Sequence, residues 1–232
     1  MRNVHKLHLC FIVVLAAAVG GTAAGEIVGK VRYAGPAPKP ETVKITKDQA
    51  VCAKTPQVES SLLVSADKGV KNVVVKVTDP KDGKKMTAPA QNAKVDQNGC
   101  KFNPRVTIAA AGAPVDILNS DGILHNIHTW PEKNKPFNKA QPKYRKTMTE
   151  TFPEPDVIRI TCDVHSWMTG YLIIAEHPYY GLSDDGGSFK IADVPAGAYT
   201  LQYWHEKLGT KTAKVTVPAS GSVTADFEYP AQ

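Results

Sequence analysis

The chain has 232 residues, enough for one large domain or two small ones, and a formal net charge of +6 at pH 7. Its basic residues are mostly dispersed, so this mild charge does not indicate a nucleic-acid partner. At the N-terminus, Arg2 and Lys6 precede an apolar run at 9–19, and small residues follow. This pattern predicts a cleaved signal peptide over residues 1–24. The run is too short for a permanent membrane span, so we expect a secreted, periplasmic protein without stable membrane insertion.

The cysteines are informative because a protein in an oxidising compartment seldom keeps free thiols. Cys52, Cys100 and Cys162 lie beyond the predicted signal peptide, and their odd number means that one of them needs another role. Cys52 and Cys100 lie in loop-like surroundings, and we predict a disulfide between them. The sequence around Cys162 indicates a different role for that residue.

Beyond the signal, short β-branched runs alternate with Gly, Pro, Asn and Asp, which predicts an all-β protein built as a β-sandwich. The predicted strands are 27–33, 73–77, 106–110, 115–118, 157–161, 171–175, 188–191, 199–204, 213–217 and 223–229. A boundary near 176–182 predicts one unit over 25–178 and a smaller β segment over 179–232. About four strands are few for an independent core. The smaller unit therefore either packs on the first or takes the N-terminal strand into its sheet.

A short segment at 161–170, with the sequence TCDVHSWMTG, carries residues with metal chemistry. Its Cys-x2-His-x2-Met spacing gathers Cys162, His165 and Met168 within seven residues. A thiolate, an imidazole and a thioether form a soft donor set, which suits copper rather than magnesium or calcium. A mononuclear blue-copper site also needs a second imidazole. The segment LHNIH at 124–128 supplies it at His125.

These two segments resemble the ligand motifs of the cupredoxins, the small blue copper proteins such as plastocyanin and amicyanin. The resemblance covers roughly residues 70–176 and implies a cupredoxin-type Greek-key β-sandwich that binds one copper ion, as Cu(I) or Cu(II). It implies Asn126 as a hydrogen-bonding link between the two ligand loops and leaves His128 as a non-ligand. The interval between the two motifs is longer here than in the family. The implied copper ligands are His125, Cys162, His165 and Met168.

Other interpretations of the same residues stay open at this point. Cys162 could be an inert buried thiol, or the cluster could hold zinc, although zinc seldom uses Met. A catalytic copper site would need further clustered histidines, whereas His128, His177 and His205 are scattered along the chain.

A site with four protein ligands leaves no easy position for a substrate, so we expect a non-enzymatic carrier of single electrons. Trp167 predicts an apolar patch at the edge of His165, and the segment 132–146 is strongly basic. Such charge steers association with an acidic surface. The expected partner is a redox protein such as a c-type cytochrome or a dehydrogenase. Copper delivery or storage, and a purely structural sandwich, are the alternatives. The candidate docking residues are Trp167, Lys133, Lys135 and Lys139.

The C-terminal segment has a second resemblance, carried by DGGSFKI at 185–191 and VPAGAYTL at 194–201. It is similar to carboxypeptidase-regulatory-like β-sandwich modules, in which Gly-x-Phe and Pro-x-Gly-x-Tyr-x-Leu mark two strands joined by a tight turn. The resemblance implies a structural or docking module without catalytic residues over 179–232.

Overall fold

The computed structural model describes residues 24–81, 84–87 and 89–232, and strands dominate these residues. The predicted signal peptide, apart from its last residue, lies outside the described residues. Within the described ranges there is a single helix of four residues, so none could span a membrane. The all-β class predicted from the sequence is confirmed. The bounds of the elements are β1 Ala24–Tyr33, α1 Gln49–Cys52, β2 Val74–Val77, β3 Ala93–Gln97, β4 Phe102–Asn103, β5 Val106–Ala110, β6 Pro114–Asn119, β7 His125–Trp130, β8 Asn138–Gln141, β9 Thr147–Thr151, β10 Asp156–Thr161, β11 Thr169–Ala175, β12 Tyr180–Leu182, β13 Ser188–Pro195, β14 Gly197–His205, β15 Gly209–Val217, β16 Ser222–Thr224 and β17 Phe227–Tyr229.

The first sandwich packs the sheet β5-β11-β10-β7-β8 against the sheet β4-β3-β6-β9. Its core takes the inward residues of both sheets, including Ile117, Ile127, Ile158 and Leu172, which are fully buried. Alternation within β10 shows how the sequence specifies this packing, because its apolar residues at 158 and 160 are buried while 157 and 159 are exposed.

The second sandwich is built from both ends of the chain. One sheet has the order β13-β1-β16 with β17 also paired to β1, and the other has the order β12-β2-β14-β15. β1 runs antiparallel to β13, with Ile27 opposite Ile191, and β2 runs antiparallel to β14, with Val75 opposite Tyr203. The N-terminal strand therefore completes a C-terminal sheet, the second of the two arrangements that the sequence left open.

Sheet membership differs from the predicted division at residue 178. That division assigned β1 and β2 to the first unit, whereas both strands hydrogen-bond to strands of the segment 179–232. The physical reason is that the C-terminal strands alone cannot bury two sheet faces, and the N-terminal strands supply the missing apolar surface. Ile27, Val31 and Val75 are fully buried in that shared core.

The two sandwiches touch through a mixed apolar and charged contact. Tyr171 meets Trp204 edge to face with ring centroids 5.1 Å apart. Beside it, the guanidinium of Arg105 donates to both carboxylate oxygens of Glu206, at 2.5 and 2.8 Å. This bidentate pair is mostly buried and fixes one sheet of each sandwich against the other.

Because of His205, at the end of β14, we expect the protein to lose stability in mild acid. Its ring is buried, and its Nδ1 accepts the backbone N–H of Lys207 at 3.2 Å. Burial and the positive charge of Arg105 lower the pKa of His205 to about 4. An unfolded His titrates near 6.5, so the unfolded state gains the proton first as the pH falls. Stability present above pH 6.5 is then lost between about pH 6.5 and 4, by up to about 3 kcal/mol.

The variant His205→Asn keeps an acceptor near the same backbone N–H group but does not titrate. We expect urea unfolding of this variant to depend less on pH between 7 and 4.5 than unfolding of the wild type. Equal pH slopes in the two proteins would show that His205 is not the group responsible.

Candidate metal centre

The two predicted ligand motifs meet at one end of the first sandwich. His125 is the first residue of β7, and Cys162 directly follows β10. β7 and β10 are antiparallel neighbours with His128 opposite Thr161, so the loop that follows β10 runs back toward His125. That loop, residues 162–168, also carries His165 and ends where β11 begins.

Three side-chain donor atoms converge in this corner. The Nδ1 atoms of His125 and His165 are 3.0 Å apart, and each lies 3.8 Å from the sulfur of Cys162. Both imidazoles are fully buried and Cys162 is almost so. The structure thus brings together three of the four predicted ligands from positions up to 40 residues apart in the sequence.

The donor set fits a trigonal metal site. Bonds of about 2.0 Å to nitrogen and about 2.3 Å to sulfur, the lengths known for zinc, place trigonal donor atoms about 3.5 to 3.7 Å apart. The observed separations are 3.0 and 3.8 Å. One thiolate and two imidazoles form the equatorial set of blue-copper sites.

Met168 ends the same loop, and its backbone is hydrogen-bonded to two of the other predicted ligands. Its N–H donates to the carbonyl of His165 at 2.9 Å, and its own carbonyl accepts the N–H of Cys162 at 3.3 Å. Its side chain is buried in the core cluster that contains Cys162. The loop therefore closes on itself through its backbone and ends in a buried thioether.

Asn126 joins the two ligand loops. Its side-chain oxygen accepts the backbone N–H groups of Asp163 at 2.7 Å and Val164 at 3.2 Å, and the Cys162 thiol lies 3.3 Å away. The amide N–H of Asn126 donates to the side chain of Asn138 at 2.7 Å. A single buried amide thus fixes the start of the 162–168 loop against β7 and β8.

A carboxylate holds the outer nitrogen of each imidazole. His125 Nε2 lies 2.9 Å from Asp121, and His165 Nε2 lies 2.9 Å from Asp48. When each Nε2–H donates to its carboxylate, both Nδ1 atoms are left as acceptors toward Cys162. The two aspartates therefore select the tautomer that a metal would require.

The Cys52–Cys100 disulfide packs against the same rings. Its two sulfur atoms lie within 4.8 Å of a ring nitrogen of His165, and the sulfur of Cys100 also lies within 4.8 Å of a ring nitrogen of His125. The backbone N–H of Cys100 also donates to Asp121 at 2.8 Å. The disulfide predicted from the sequence is present, and it supports both histidines from outside the site.

The electrostatics of the metal-free site favour a thiol that ionises easily. Burial raises the pKa of Cys162, but hydrogen bonds with His125, Asn126 and His165 outweigh burial and lower it. Burial lowers the pKa of His125, yet its hydrogen bonds to Asp121 and Cys162 raise it to about 9. Burial lowers the pKa of His165 against the opposing effect of Asp48. Because a metal binds thiolate and neutral imidazole, metal binding would release protons here.

The predicted docking residues differ in how exposed they are and in what they contact. Lys133, Lys135 and Lys139 are exposed, and Lys139 pairs with Glu150 at 2.5 Å. Trp167 is half-buried, and its indole N–H donates to the carbonyl of Cys100 at 3.2 Å. Its ring centroid is 5.2 Å from that of His165.

The apolar patch predicted at the edge of His165 does not expose the ring. The imidazole is fully buried, with Asp48 against its outer nitrogen. The sequence reasoning missed Asp48 because it belongs to the N-terminal segment, 117 residues from His165. Asp121 carried a weak signal, since it stands four residues before His125 in the turn that precedes β7.

Comparisons with protein-family models and with curated proteins found no match. Solved structures that resemble part of the chain include a copper-containing nitrite reductase from Thermus scotoductus SA-01, a purple cupredoxin from Nitrosopumilus maritimus and a mutant of amicyanin in its Cu(I) form. Their identities are 20%, 20% and 17%, their TM-scores are 0.35, 0.32 and 0.33, and they cover 42%, 36% and 43% of this chain.

The chain spans 27% of the nitrite reductase, 100% of the purple cupredoxin and 97% of amicyanin. These neighbours are cupredoxins at low identity, and the likeness extends over less than half of the present chain.

Proposed function

We propose that this protein binds one type 1 copper ion through His125, Cys162, His165 and Met168 and carries single electrons between redox proteins. The observation that carries the proposal is the convergence of one buried thiol and two buried imidazole Nδ1 atoms within 3.8 Å of one another. Copper bound there would alternate between Cu(I) and Cu(II).

Residues around the four ligands would orient them and hold their loops in place. Asp48 and Asp121 orient the two imidazoles, and Asn126 fixes the loop that carries the thiolate. Because all these groups lie on strands or on loops bound to them, the donor atoms need little rearrangement when the metal changes charge. Burial keeps water from the thiolate, and the four-ligand set favours electron transfer over chemistry on a substrate.

An exposed aromatic group supports a route for electrons. The indole N–H of Trp130 donates to the hydroxyl of Thr161 at 2.9 Å, and Thr161 is bonded directly to Cys162. Trp130 is 45% exposed and stacks on His128 with ring centroids 4.1 Å apart. Since Asp48 covers the outer edge of His165, this face is a more direct contact for a redox partner than the predicted edge at Trp167.

The remaining parts of the proposal concern location and partner. The signal-like N-terminus supports export to the periplasm, and the exposed lysines of 132–146 would steer a partner with an acidic surface, such as a c-type cytochrome or a dehydrogenase. The second sandwich, with its carboxypeptidase-regulatory-like motifs, would serve as a structural or docking module.

Copper delivery or storage is the competing function, and kinetics separate the two. We expect the copper-loaded, reduced protein to reduce a c-type cytochrome within a stopped-flow measurement and to keep its copper against a weak chelator. Trp130→Leu should slow the reaction, whereas Val157→Ala, at an exposed apolar residue near the opposite end of β10 from Cys162, should not. Rapid release of copper to the chelator, without reduction of the cytochrome, would contradict the electron-transfer function and favour copper delivery.

Met168 supplies a separate test of the ligand set. A weakly bound axial thioether adjusts the site without assembling it. Met168→Gln should keep copper and colour but lower the reduction potential, because a harder oxygen donor stabilises Cu(II). Met168→Leu should raise the potential, because Cu(II) loses a donor. Voltammetry of both variants beside the wild type is the measurement, and unchanged potentials would mean that Met168 only fills space.

A further inference from the structure

Asp48 contacts the candidate copper site although it does not belong to the sandwich that contains this site. It lies in the segment 34–58 that follows β1, a strand of the second sandwich. Its carboxylate accepts the Nε2–H of His165 at 2.9 Å, and the imidazole has no exposed surface. A residue from another part of the fold thus makes the contact that fixes the orientation of a ligand ring.

The local backbone around Asp48 is arranged for this contact rather than for the helix it precedes. An aspartate at the N-cap position normally accepts a backbone N–H of its own helix. Asp48 is the N-cap of α1, yet its side chain makes no such bond, and its backbone is left-handed with a φ of 50°. A residue with a side chain is less stable in that conformation than in the right-handed one, although aspartate tolerates it better than most. The segment therefore gives up two local stabilising features where the carboxylate meets His165.

Covalent and hydrogen-bonded links hold the segment in place. Cys52 ends α1 and is bridged to Cys100, and the side chain of Gln57 donates to the carbonyls of Cys52 at 2.8 Å and Gly99 at 2.9 Å. The turn at 99–100 in turn donates to the carboxylate of Asp121, the partner of His125. The disulfide and these hydrogen bonds therefore connect the segments that carry Asp48 and Asp121, whose carboxylates contact the two imidazoles.

The carboxylates of Asp48 and Asp121 would change the relative stability of the oxidised and reduced forms of a metal bound at Nδ1. Cu(II) carries one more positive charge than Cu(I), so a fixed negative charge one imidazole ring away stabilises the oxidised ion more than the reduced ion. The imidazoles and Asp121 are buried, whereas Asp48 is partly exposed, so solvent screens the charge of Asp48 more than that of Asp121. The hydrogen bond also makes each imidazole a stronger donor.

We propose that Asp48 is a positioning residue for the copper site, which holds His165 with Nδ1 toward Cys162 and lowers the reduction potential. This inference rests on the proposed copper function for the potential, but the placement of His165 can be tested without metal. It assigns the N-terminal segment a role in setting the properties of the centre.

The test compares Asp48→Asn and Asp48→Ala with Glu41→Gln. Glu41 is an exposed carboxylate on the same segment, so its substitution makes the same charge change away from the ring. We expect Asp48→Asn to keep colour and raise the potential, by an amount equal to about a tenfold change in the ratio of Cu(I) to Cu(II) affinity, or about 59 mV. Asp48→Ala should also weaken copper binding by about tenfold. Glu41→Gln should change neither property.

A second measurement uses the metal-free protein. Nitrogen NMR of the imidazoles should show His165 protonated at Nε2 in the wild type and in Glu41→Gln, and a mixture of tautomers in Asp48→Ala. Wild-type potentials and an unchanged tautomer in the Asp48 variants would overturn the inference while leaving the copper function intact. A wild type that forms no coloured copper complex would instead overturn the proposed function, and the NMR result would still decide whether Asp48 positions His165.

Discussion

Cys162→Ser should abolish the visible thiolate-to-copper absorption and leave a folded protein. Among the described residues, Cys162 is the one free thiol, and its sulfur lies 3.8 Å from both imidazole Nδ1 atoms. A serine hydroxyl is a far weaker donor to copper at neutral pH. Cys162 is one member of a core built from the inward residues of two sheets, so a serine of similar size in its place should leave the sandwich folded. Absorption spectra of the copper-loaded variant, beside circular dichroism of the metal-free form, are the measurements.

Ser166→Ala is the matched control for this substitution. Ser166 is exposed on the same loop, so the variant should keep the colour and the copper stoichiometry of the wild type. A Cys162→Ser protein that stays coloured would show that the thiolate comes from elsewhere and that the ligand assignment is wrong.

Loss of the disulfide should have the largest effect on stability. Cys52 and Cys100 are 48 residues apart, and closing a loop of that length stabilises a fold by about 4 kcal/mol in the chain-entropy model. We expect the double variant Cys52→Ala/Cys100→Ala to lose about this amount in urea unfolding of the metal-free protein. Both cysteines are buried against the ligand histidines, so the variant should also release copper faster.

Reduction of the wild type with a dithiol provides the comparison for the double variant, since it breaks the same cross-link without changing the sequence. Similar losses of stability are expected in the two cases. A double variant that unfolds within 1 kcal/mol of the oxidised wild type would mean that the segment around α1 is held by its other contacts alone.

The strands that sequence reasoning found are those with apolar, β-branched patterns. β5 was predicted with the same bounds, and β10 to within one residue. β7 was not predicted because its sequence, HNIHTW, places histidine and threonine at inward positions where a strand normally carries apolar residues. The predicted strand 223–229 is two strands, because the chain passes through Asp226, whose carboxylate accepts the N–H of Lys30 and pairs with Arg32.

The candidate site also contains residues that the local sequence could identify and residues that it could not. The predicted ligands lie in two short motifs: spacing groups Cys162, His165 and Met168, and the resemblance to the cupredoxins adds His125. Asp48 could not be predicted, because its place beside His165 depends on how the segment 34–58 folds back and is cross-linked to Cys100. The pairing of β1 with β13 was likewise left open, since strand order over such a separation leaves no local pattern.

Titration of the metal-free wild type with Cu(II), followed by visible absorption and electron paramagnetic resonance, tests the central claim most directly. A thiolate and two imidazoles already held within 3.8 Å predict one equivalent of tightly bound copper. They also predict an intense thiolate-to-copper band and the narrow hyperfine splitting of a type 1 centre. A colourless complex with the broad splitting of ordinary Cu(II), or no saturable binding, would contradict the account.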